Sequence, residues 1–252
     1  MCLIIFAYKC HPKYKLIVAA NRDEFYQRPT AGAHFWEDIP GVLAGRDLEK
    51  MGTWMGVTKG GRFVALTNYR NPQEVTKGKL SRGELVTGAL TFQGELVDYM
   101  ESLKNKESLY PGYNLLAGDS DELFYFSNVG HKVIKLEPGI YGVSNELLDS
   151  YWPKVNIGKK GLENIVSSKE DISVEALFAL LAISDPAPDD LLPQTGVPIE
   201  MERMLSPLFI KSEGYGTRSS TVLLMTDKDI QYEERVHTGD GNNSQYNFKI
   251  EQ

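Results

Sequence analysis

The first twenty residues form two apolar runs joined by one polar connection. Cys2–Tyr8 and residues 14–20 are nearly continuous in apolar side chains, and a segment with Pro12 and two lysines lies between them. Unbroken runs of this length are typical of strands that are covered on both faces. The pattern therefore predicts a buried β-hairpin at the start of the chain.

A second hairpin is predicted from residues 53–58 and 62–68. The connection between them, Lys59-Gly60-Gly61, is rich in residues that accept positive φ. The segment that separates the two hairpins contains Gly, Pro, His34, Trp36 and Arg46-Asp47 without a clear period. We expect it to be loop more than regular structure.

Apolar residues at helical spacing predict the helical part of the fold. Ser81-Arg-Gly-Glu84 matches a capping box, in which the Ser and Glu side chains satisfy free amides at a helix start. The helical pattern covers residues 85–103 with a break at Gly94, residues 152–166 and residues 173–183.

The remaining apolar segments predict strands within residues 113–143 and again within residues 221–250. Residues 184–200 contain four prolines, so we expect an ordered surface loop there. The order of elements is strands, helix, strands, helices, strands. This order favours an α+β fold, with largely antiparallel sheets stacked between helical layers, built as one domain over residues 1–252.

Composition excludes several classes of function. The 27 basic and 34 acidic residues give a net charge of −7, so no excess of positive charge is available for a nucleic-acid partner. No apolar stretch reaches the length of about 18 residues that a membrane span needs. The two cysteines cannot form a disulfide framework, and no secretory signal precedes them, so we expect a cytoplasmic protein.

Cofactor motifs are absent from the sequence. The four histidines are scattered and have no ligand spacing, so no metal site is predicted. No Gly-x-Gly-x-x-Gly or Gly-Lys-Ser/Thr segment follows a predicted strand, and no nucleotide cofactor is expected.

Cys2 follows the initiator Met1 directly. Removal of Met1 would place a thiol and a free α-amine on one residue, and an α-amine titrates near pKa ~8. Such an amine can act as the base for the neighbouring thiol, as in N-terminal nucleophile enzymes. The alternative is that Cys2 is simply a small apolar residue at the start of a strand.

Further polar residues follow apolar strands, where their side chains can converge on a cleft. Arg22 would lower the pKa of a nearby thiol, and Asp23 could hold the α-amine. Asn68 could donate to a developing oxyanion, and Asn145 ends a later strand. Arg218 offers a planar fork for a carboxylate or a similar group. Each of these residues is also common in ordinary turns.

A set of ordered motifs resembles the NRDE family, also called the transport and Golgi organisation 2 family. Ala19-Ala-Asn-Arg-Asp-Glu-Phe25 contains the tetrapeptide that names the family. The other matching motifs are Ala44-Gly-Arg-Asp47, Gly52-Thr-Trp-Met-Gly56, Ala65-Leu-Thr-Asn-Tyr-Arg70, Tyr113-Asn-Leu-Leu116, Gly142-Val-Ser-Asn145, Leu192-Pro-Gln-Thr-Gly-Val-Pro198 and Tyr215-Gly-Thr-Arg-Ser-Ser-Thr221. They cover essentially the whole chain.

The resemblance implies the four-layer αββα sandwich of N-terminal nucleophile hydrolases, especially the branch that acts on conjugated bile acids and penicillin V. It further implies roles for six residues. Cys2 would be the nucleophile, and Arg22 and Asp23 would be the pair that orients it. Asn68 and Asn145 would be the polar groups near the oxyanion, and Arg218 would be the late arginine. In that branch the Arg and the Asp are usually separated in sequence, whereas here they are adjacent. Adjacent residues of a strand point to opposite faces, so only one of the two is expected to face Cys2.

Three functions remain open on the sequence alone. One is a cysteine amidohydrolase that acts on the C–N bond of a small molecule. The second is a non-catalytic carrier of a hydrophobic ligand such as haem or a lipid on the same fold. The third is a structural protein in which Cys2 has no special role. If a cation contacts Cys2, its thiol should titrate below the ~8.5 of a free cysteine, and full burial would have the opposite effect.

Overall fold

The computed structural model describes residues 2–168, 171–239 and 241–251. The strands of this part of the chain are β1 (Cys2–Tyr8), β2 (Leu16–Phe25), β3 (Thr30–Phe35), β4 (Val42–Asp47), β5 (Met55–Thr58), β6 (Phe63–Asn68), β7 (Tyr113–Gly118), β8 (Leu123–Ser127), β9 (Lys132–Lys135), β10 (Gly139–Val143), β11 (Tyr215–Met225), β12 (Asp229–Val236) and β13 (Ser244–Lys249). The helices are α1 (Gly83–Thr91), α2 (Leu96–Leu103), α3 (Pro153–Val166), α4 (Val174–Leu181) and α5 (Ile199–Leu205).

The strands form two antiparallel sheets. The first has the order β10-β1-β2-β11-β12-β13, and the second runs β3-β4-β5-β6-β7-β8-β9 without a crossover. Strand β11 lies between β2 and β12, so a late segment of the chain packs beside the strand that carries Arg22 and Asp23.

Alternate residues of β1 face two different cores. Ile4, Phe6 and Tyr8 lie in the core between the sheets. Leu3 and Ile5 lie in a second core, under α3 and α4. A third core packs α1 and α2 on the outer face of the other sheet. The layers therefore run helices, sheet, sheet, helices, which confirms the predicted αββα sandwich and explains why β1 is apolar at almost every position.

The segment between the two N-terminal hairpins corrects the sequence-based prediction. It contains β3 and β4, which extend the second sheet, where loop was expected. The polar and small residues of these strands hide the pattern, because β3 is an edge strand and its pairing with β4 is irregular between Ala31 and His34.

A smaller prediction was also wrong. Ser81 does not cap α1: the N-cap residue is Arg82, and no side-chain bond caps the helix. The loop predicted for the proline-rich segment is confirmed up to Pro198, and only the last two residues of the predicted range, Ile199 and Glu200, belong to a helix, α5. Proline fits at a helix start, because the amide it lacks would have no partner there.

No helix in the described parts of the chain is both long and apolar enough to cross a bilayer.

Candidate active site

A cleft of about 570 Å³ opens where β1 starts and where β2 and β6 end. Four of the predicted site residues line it: Cys2, Arg22, Asp23 and Asn68. Cys2 pairs with Arg22 in the antiparallel ladder of β1 and β2. The hairpin predicted from the first twenty residues is thus the element that brings the thiol and the Arg-Asp pair together.

Arg22 and Asp23 face opposite sides of β2. Residues paired directly across an antiparallel ladder share a face, so Arg22 lies on the side of Cys2, between the two sheets. Its guanidinium stacks 4.1 Å over the ring of Trp54 and donates to Thr30 Oγ1 at 3.2 Å. Asp23 lies on the helical side and accepts a hydrogen bond from Thr217 Oγ1 at 2.7 Å.

Cys2 is partly buried. Burial raises the pKa of Cys2, and the charge of Asp23 raises it as well. Arg22 and the backbone amide of Asp23 act in the other direction. Because burial outweighs the cation, the Cys2 pKa lies above that of a free thiol in this structure, opposite to the direction that cation contact alone predicts.

Asn68 and Asn145 are linked by a hydrogen bond but occupy different places. Asn68 lines the cleft, whereas Asn145 is fully buried behind it. Asn145 Nδ2 donates to the carbonyl oxygen of Asn68 at 2.8 Å, and the neighbouring Ser144 Oγ donates to the carbonyl oxygen of Cys2 at 2.9 Å. Ser144 and Asn145 therefore fix the backbone of Cys2 relative to the backbone of Asn68.

Arg218 lies outside the cleft. Its Nη1 donates to the carbonyl oxygens of Phe25, Tyr26 and Arg28 at 2.6–2.9 Å and so holds the turn after β2. The register of β11 against β2 shifts between Thr217 and Ser219, which leaves Arg218 as the bulged residue. A bulge redirects the side chain of the extra residue, and this one lines a neighbouring cavity.

Lys154 is a buried charged residue on the helical side of the first sheet that sequence reasoning missed. It lies in the first turn of α3, is 1% exposed, and has an Nζ atom with no hydrogen-bond partner among the described residues. Burial lowers the pKa of Lys154 to about 8, while the charges of Asp23 and Cys2 raise it. A lysine in an amphipathic helix is ordinarily solvated, so the sequence carries no signal that this one is buried.

A buried ion pair supports the helical side of the site. Arg70 Nη1 contacts Glu202 Oε2 at 2.7 Å, and its guanidinium lies 4.5 Å over the ring of Trp152. Glu202 Oε1 also accepts from the backbone amide of Thr195 at 3.0 Å. This contact explains the Leu192–Pro198 motif: its loop is fixed to α5, and through Glu202 to the segment that follows β6.

The rim of the cleft is charged. Arg28 and Asp47 form an ion pair at 2.7 Å, and Lys79 contacts Glu74 at 3.3 Å. Arg82 donates to the carbonyl oxygen of Gly112 at 3.0 Å. The cleft is thus polar, with a thiol at its base, an amide side chain on its wall and cations around it.

Sequence comparison with known proteins assigns the chain to a family. The sequence model of the family described as "Transport and Golgi organisation 2" matches residues 1–238. The chain belongs to this family. It is 36% identical to the human transport and Golgi organization protein 2 homolog over 259 residues, which covers 93% of this chain and 92% of the relative. The homolog from Bos taurus is 34% identical and covers 95% of this chain and 94% of its own length.

Solved structures share the fold of this family member at low sequence identity. An N-acylethanolamine-hydrolyzing acid amidase ortholog from Caenorhabditis elegans superposes with a TM-score of 0.56 at 12% identity, covering 88% of this chain and 92% of that one. A mutant conjugated bile acid hydrolase from Clostridium perfringens gives 0.54 at 9% identity, covering 99% and 92%. The chain therefore shares its fold with an acid amidase ortholog and a bile acid hydrolase.

Proposed function

We propose that the chain is a cysteine N-terminal nucleophile hydrolase that cleaves the C–N amide bond of a small molecule. The observation that carries the proposal is the position of Cys2: the residue that starts β1 lies at the base of a cleft, directly across the ladder from Arg22. The fold shared with an amidase and with a bile acid hydrolase supports the same reaction class.

The proposed reaction has two steps. The sulfur of Cys2 attacks the amide carbonyl carbon, the C–N bond breaks, and the thiol proton passes to the leaving amine. Water then cleaves the thioester and releases the acid. Because the Cys2 pKa is raised, the resting thiol is protonated and the first step needs a base. The α-amine released by removal of Met1, a residue outside the described part of the chain, is our candidate for that base.

Asn68 is the candidate oxyanion donor, since its side chain faces the cleft, and Ser144 with Asn145 hold the backbone around it. A preorganised amide donor of this kind contributes about 3–4 kcal/mol to stabilisation of the transition state. The charged rim also favours this proposal over a carrier of haem or lipid, because such carriers need a largely apolar pocket.

The test uses protein whose intact mass shows that Met1 has been removed. We expect N-acyl p-nitroanilides of graded acyl length to acylate the wild-type chain on Cys2, detected by mass, with release of p-nitroaniline. Cys10→Ala should behave like the wild type, because Cys10 is an exposed thiol outside the cleft. Cys2→Ala should lose both signals. Turnover that survives Cys2→Ala, or processed protein that no substrate acylates, would overturn the proposal.

A further inference from the structure

The guanidinium of Arg22 is held in place by an aromatic ring. It stacks 4.1 Å over the ring of Trp54 and donates to the hydroxyl of Thr30 at 3.2 Å. Arg22 is only 6% exposed, so these contacts lie inside the protein and not at its surface. Cys2, Arg22 and Trp54 line both the cleft and a smaller cavity. The thiol, the cation and the ring therefore share one space.

A glycine makes room for the ring of Trp54. A Cβ atom at position 45 would come within 2.5 Å of Cζ2 in the six-membered ring, a separation that Cβ atoms in proteins essentially never show. The φ of Gly45 is not in the left-handed region, so glycine is needed here for space and not for the backbone conformation. Gly45 shares a face of β4 with Leu43, which lies in the core between the sheets. The ring of Trp54 thus lies against bare backbone of β4.

The backbone of Trp54 is fixed by the second sheet. Its carbonyl oxygen accepts from the amide of Leu66 in β6 at 2.8 Å, and the next residue, Met55, starts β5. A side chain at position 45 would therefore displace the ring of Trp54 and not its backbone. Because Arg22 stacks on this ring, the guanidinium would lose its support. Three separate motifs of the sequence, which contain Arg22, Gly45 and Trp54, thus meet in one place.

We propose that Gly45 and Trp54 are positioning residues of the nucleophile site: the bare backbone of Gly45 lets the ring of Trp54 hold the Arg22 guanidinium on the face of Cys2. The inference rests on the proposed function and deepens it. A cation near a thiol favours the thiolate, and Arg22 acts on the pKa of Cys2 in this direction. The stack therefore assists the step in which the proton leaves the sulfur.

Other groups also act on the thiol of Cys2, and a change at Gly45 alters none of them. Burial and the charge of Asp23 raise the Cys2 pKa in the wild type and in the variant alike. A difference between the two proteins therefore reports the position of Arg22. The unaltered titratable and charged groups are Asp23 on β2, Tyr215 on β11, Lys154 on α3, Arg82 at the start of α1 and the N-terminal amine.

The experiment compares Gly45→Ala with Gly60→Ala, a matched change at an exposed glycine where a Cβ atom would meet nothing closer than 3.7 Å. The readout is the rate of iodoacetamide labelling of Cys2 against pH, with the exposed Cys10 of the same molecule as the reference. We expect Gly45→Ala to move the midpoint of the Cys2 profile up by about half a pH unit or more and to slow labelling at pH 7.5 about twofold. Gly60→Ala should reproduce the wild-type profile.

Two further variants test whether the effect passes through the stack. In Arg22→Gln protein, which lacks the cation, Gly45→Ala should no longer move the midpoint. Trp54→Leu removes the ring and should move the midpoint in the same direction as Gly45→Ala, so it takes the place of that variant if Gly45→Ala does not fold. The labelling rate at the high-pH plateau reports access to the thiol, so a change of access is measured separately from a change of pKa.

Three outcomes would overturn the inference. They are a Cys2 midpoint in folded Gly45→Ala that equals the wild-type value, an equal shift in Gly60→Ala, and an undiminished shift when Gly45→Ala is combined with Arg22→Gln. The labelling needs no substrate, so its outcome is separate from that of the acylation test.

Discussion

At the scale of single residues, the site depends on strand β2, which places the charges of Arg22 and Asp23 on opposite faces of the sheet. Arg22 and Asp23 are neighbours in β2, yet one lies beside Cys2 between the sheets and the other lies on the face that the helices cover. The thiol therefore has a cation on its own face and a carboxylate on the opposite face. Burial of the thiol adds to the effect of Asp23, and together they outweigh Arg22, which makes a base necessary for thiolate formation.

The buried charge of Lys154 predicts a specific dependence of stability on pH. Its pKa falls from 10.5 to about 8 on folding, which corresponds to about 3 kcal/mol. Between these two pH values the unfolded chain holds a proton that the folded chain has released, so the free energy of unfolding rises with pH. Below pH 8 burial of the charged lysine lowers the free energy of unfolding by its full amount, and above pH 10.5 this destabilisation has disappeared.

Urea unfolding from pH 7 to pH 10.5 measures this effect. We expect Lys154→Met to be more stable than the wild type at pH 7, by up to about 3 kcal/mol, and this advantage to shrink as the pH rises. Lys160→Met, a matched change at an exposed lysine of the same helix, serves as the control and should give a difference that does not change with pH. A constant advantage of Lys154→Met across the whole range would show that folding leaves the pKa of Lys154 at its ordinary value.

At the scale of elements, the sequence predicted those with a clear apolar period. The β1–β2 pairing, the break between α1 and α2, and the helices α3 and α4 were confirmed. The edge strand β3 was missed because its residues are polar or small, and α5 was missed because prolines surround it. The sequence also placed Cys2 and the Arg-Asp pair together, but it could not show the burial of Lys154 or the bulge that turns Arg218 away.

Helix α5 yields a prediction about the ion pair that it contributes. Glu202→Gln removes the charge that compensates Arg70, whose side chain is only 8% exposed in this pair. Loss of one partner leaves a buried guanidinium uncompensated, so we expect a loss of about 3–5 kcal/mol of stability in urea unfolding. Glu200→Gln, at an exposed position of the same helix, should change stability by no more than about 0.5 kcal/mol. Equal effects of the two changes would mean that the Arg70–Glu202 pair does not hold α5 in place.

At the scale of the whole molecule, one asparagine couples the two sheets beside the site. Asn114 belongs to β7 of the second sheet, and its Nδ2 donates to Thr67 Oγ1 at 3.0 Å and to the carbonyl oxygen of Glu146 at 2.9 Å. Its Oδ1 accepts from Tyr125 Oη at 2.6 Å, and Tyr125 in turn accepts from the amide of Leu148. The segment that contains Ser144 and Asn145 is thus held by both sheets.

Loss of Asn114 should therefore loosen the segment that fixes the backbone of Cys2. Asn114→Leu leaves several buried acceptors without a donor, so we expect a loss of about 3 kcal/mol in urea unfolding. In native-state hydrogen exchange, a peptide covering residues 140–150 should exchange faster. The reason is that Tyr125 Oη, which accepts from the amide of Leu148, is no longer held in place by Asn114. A peptide covering α4 should keep its protection, since that helix packs on the far face of the first sheet.

Tyr125→Phe removes one hydroxyl group and should cost only about 1 kcal/mol. Uniform acceleration of exchange throughout the chain would instead show that Asn114 supports global stability, with no special connection to the segment that fixes Cys2.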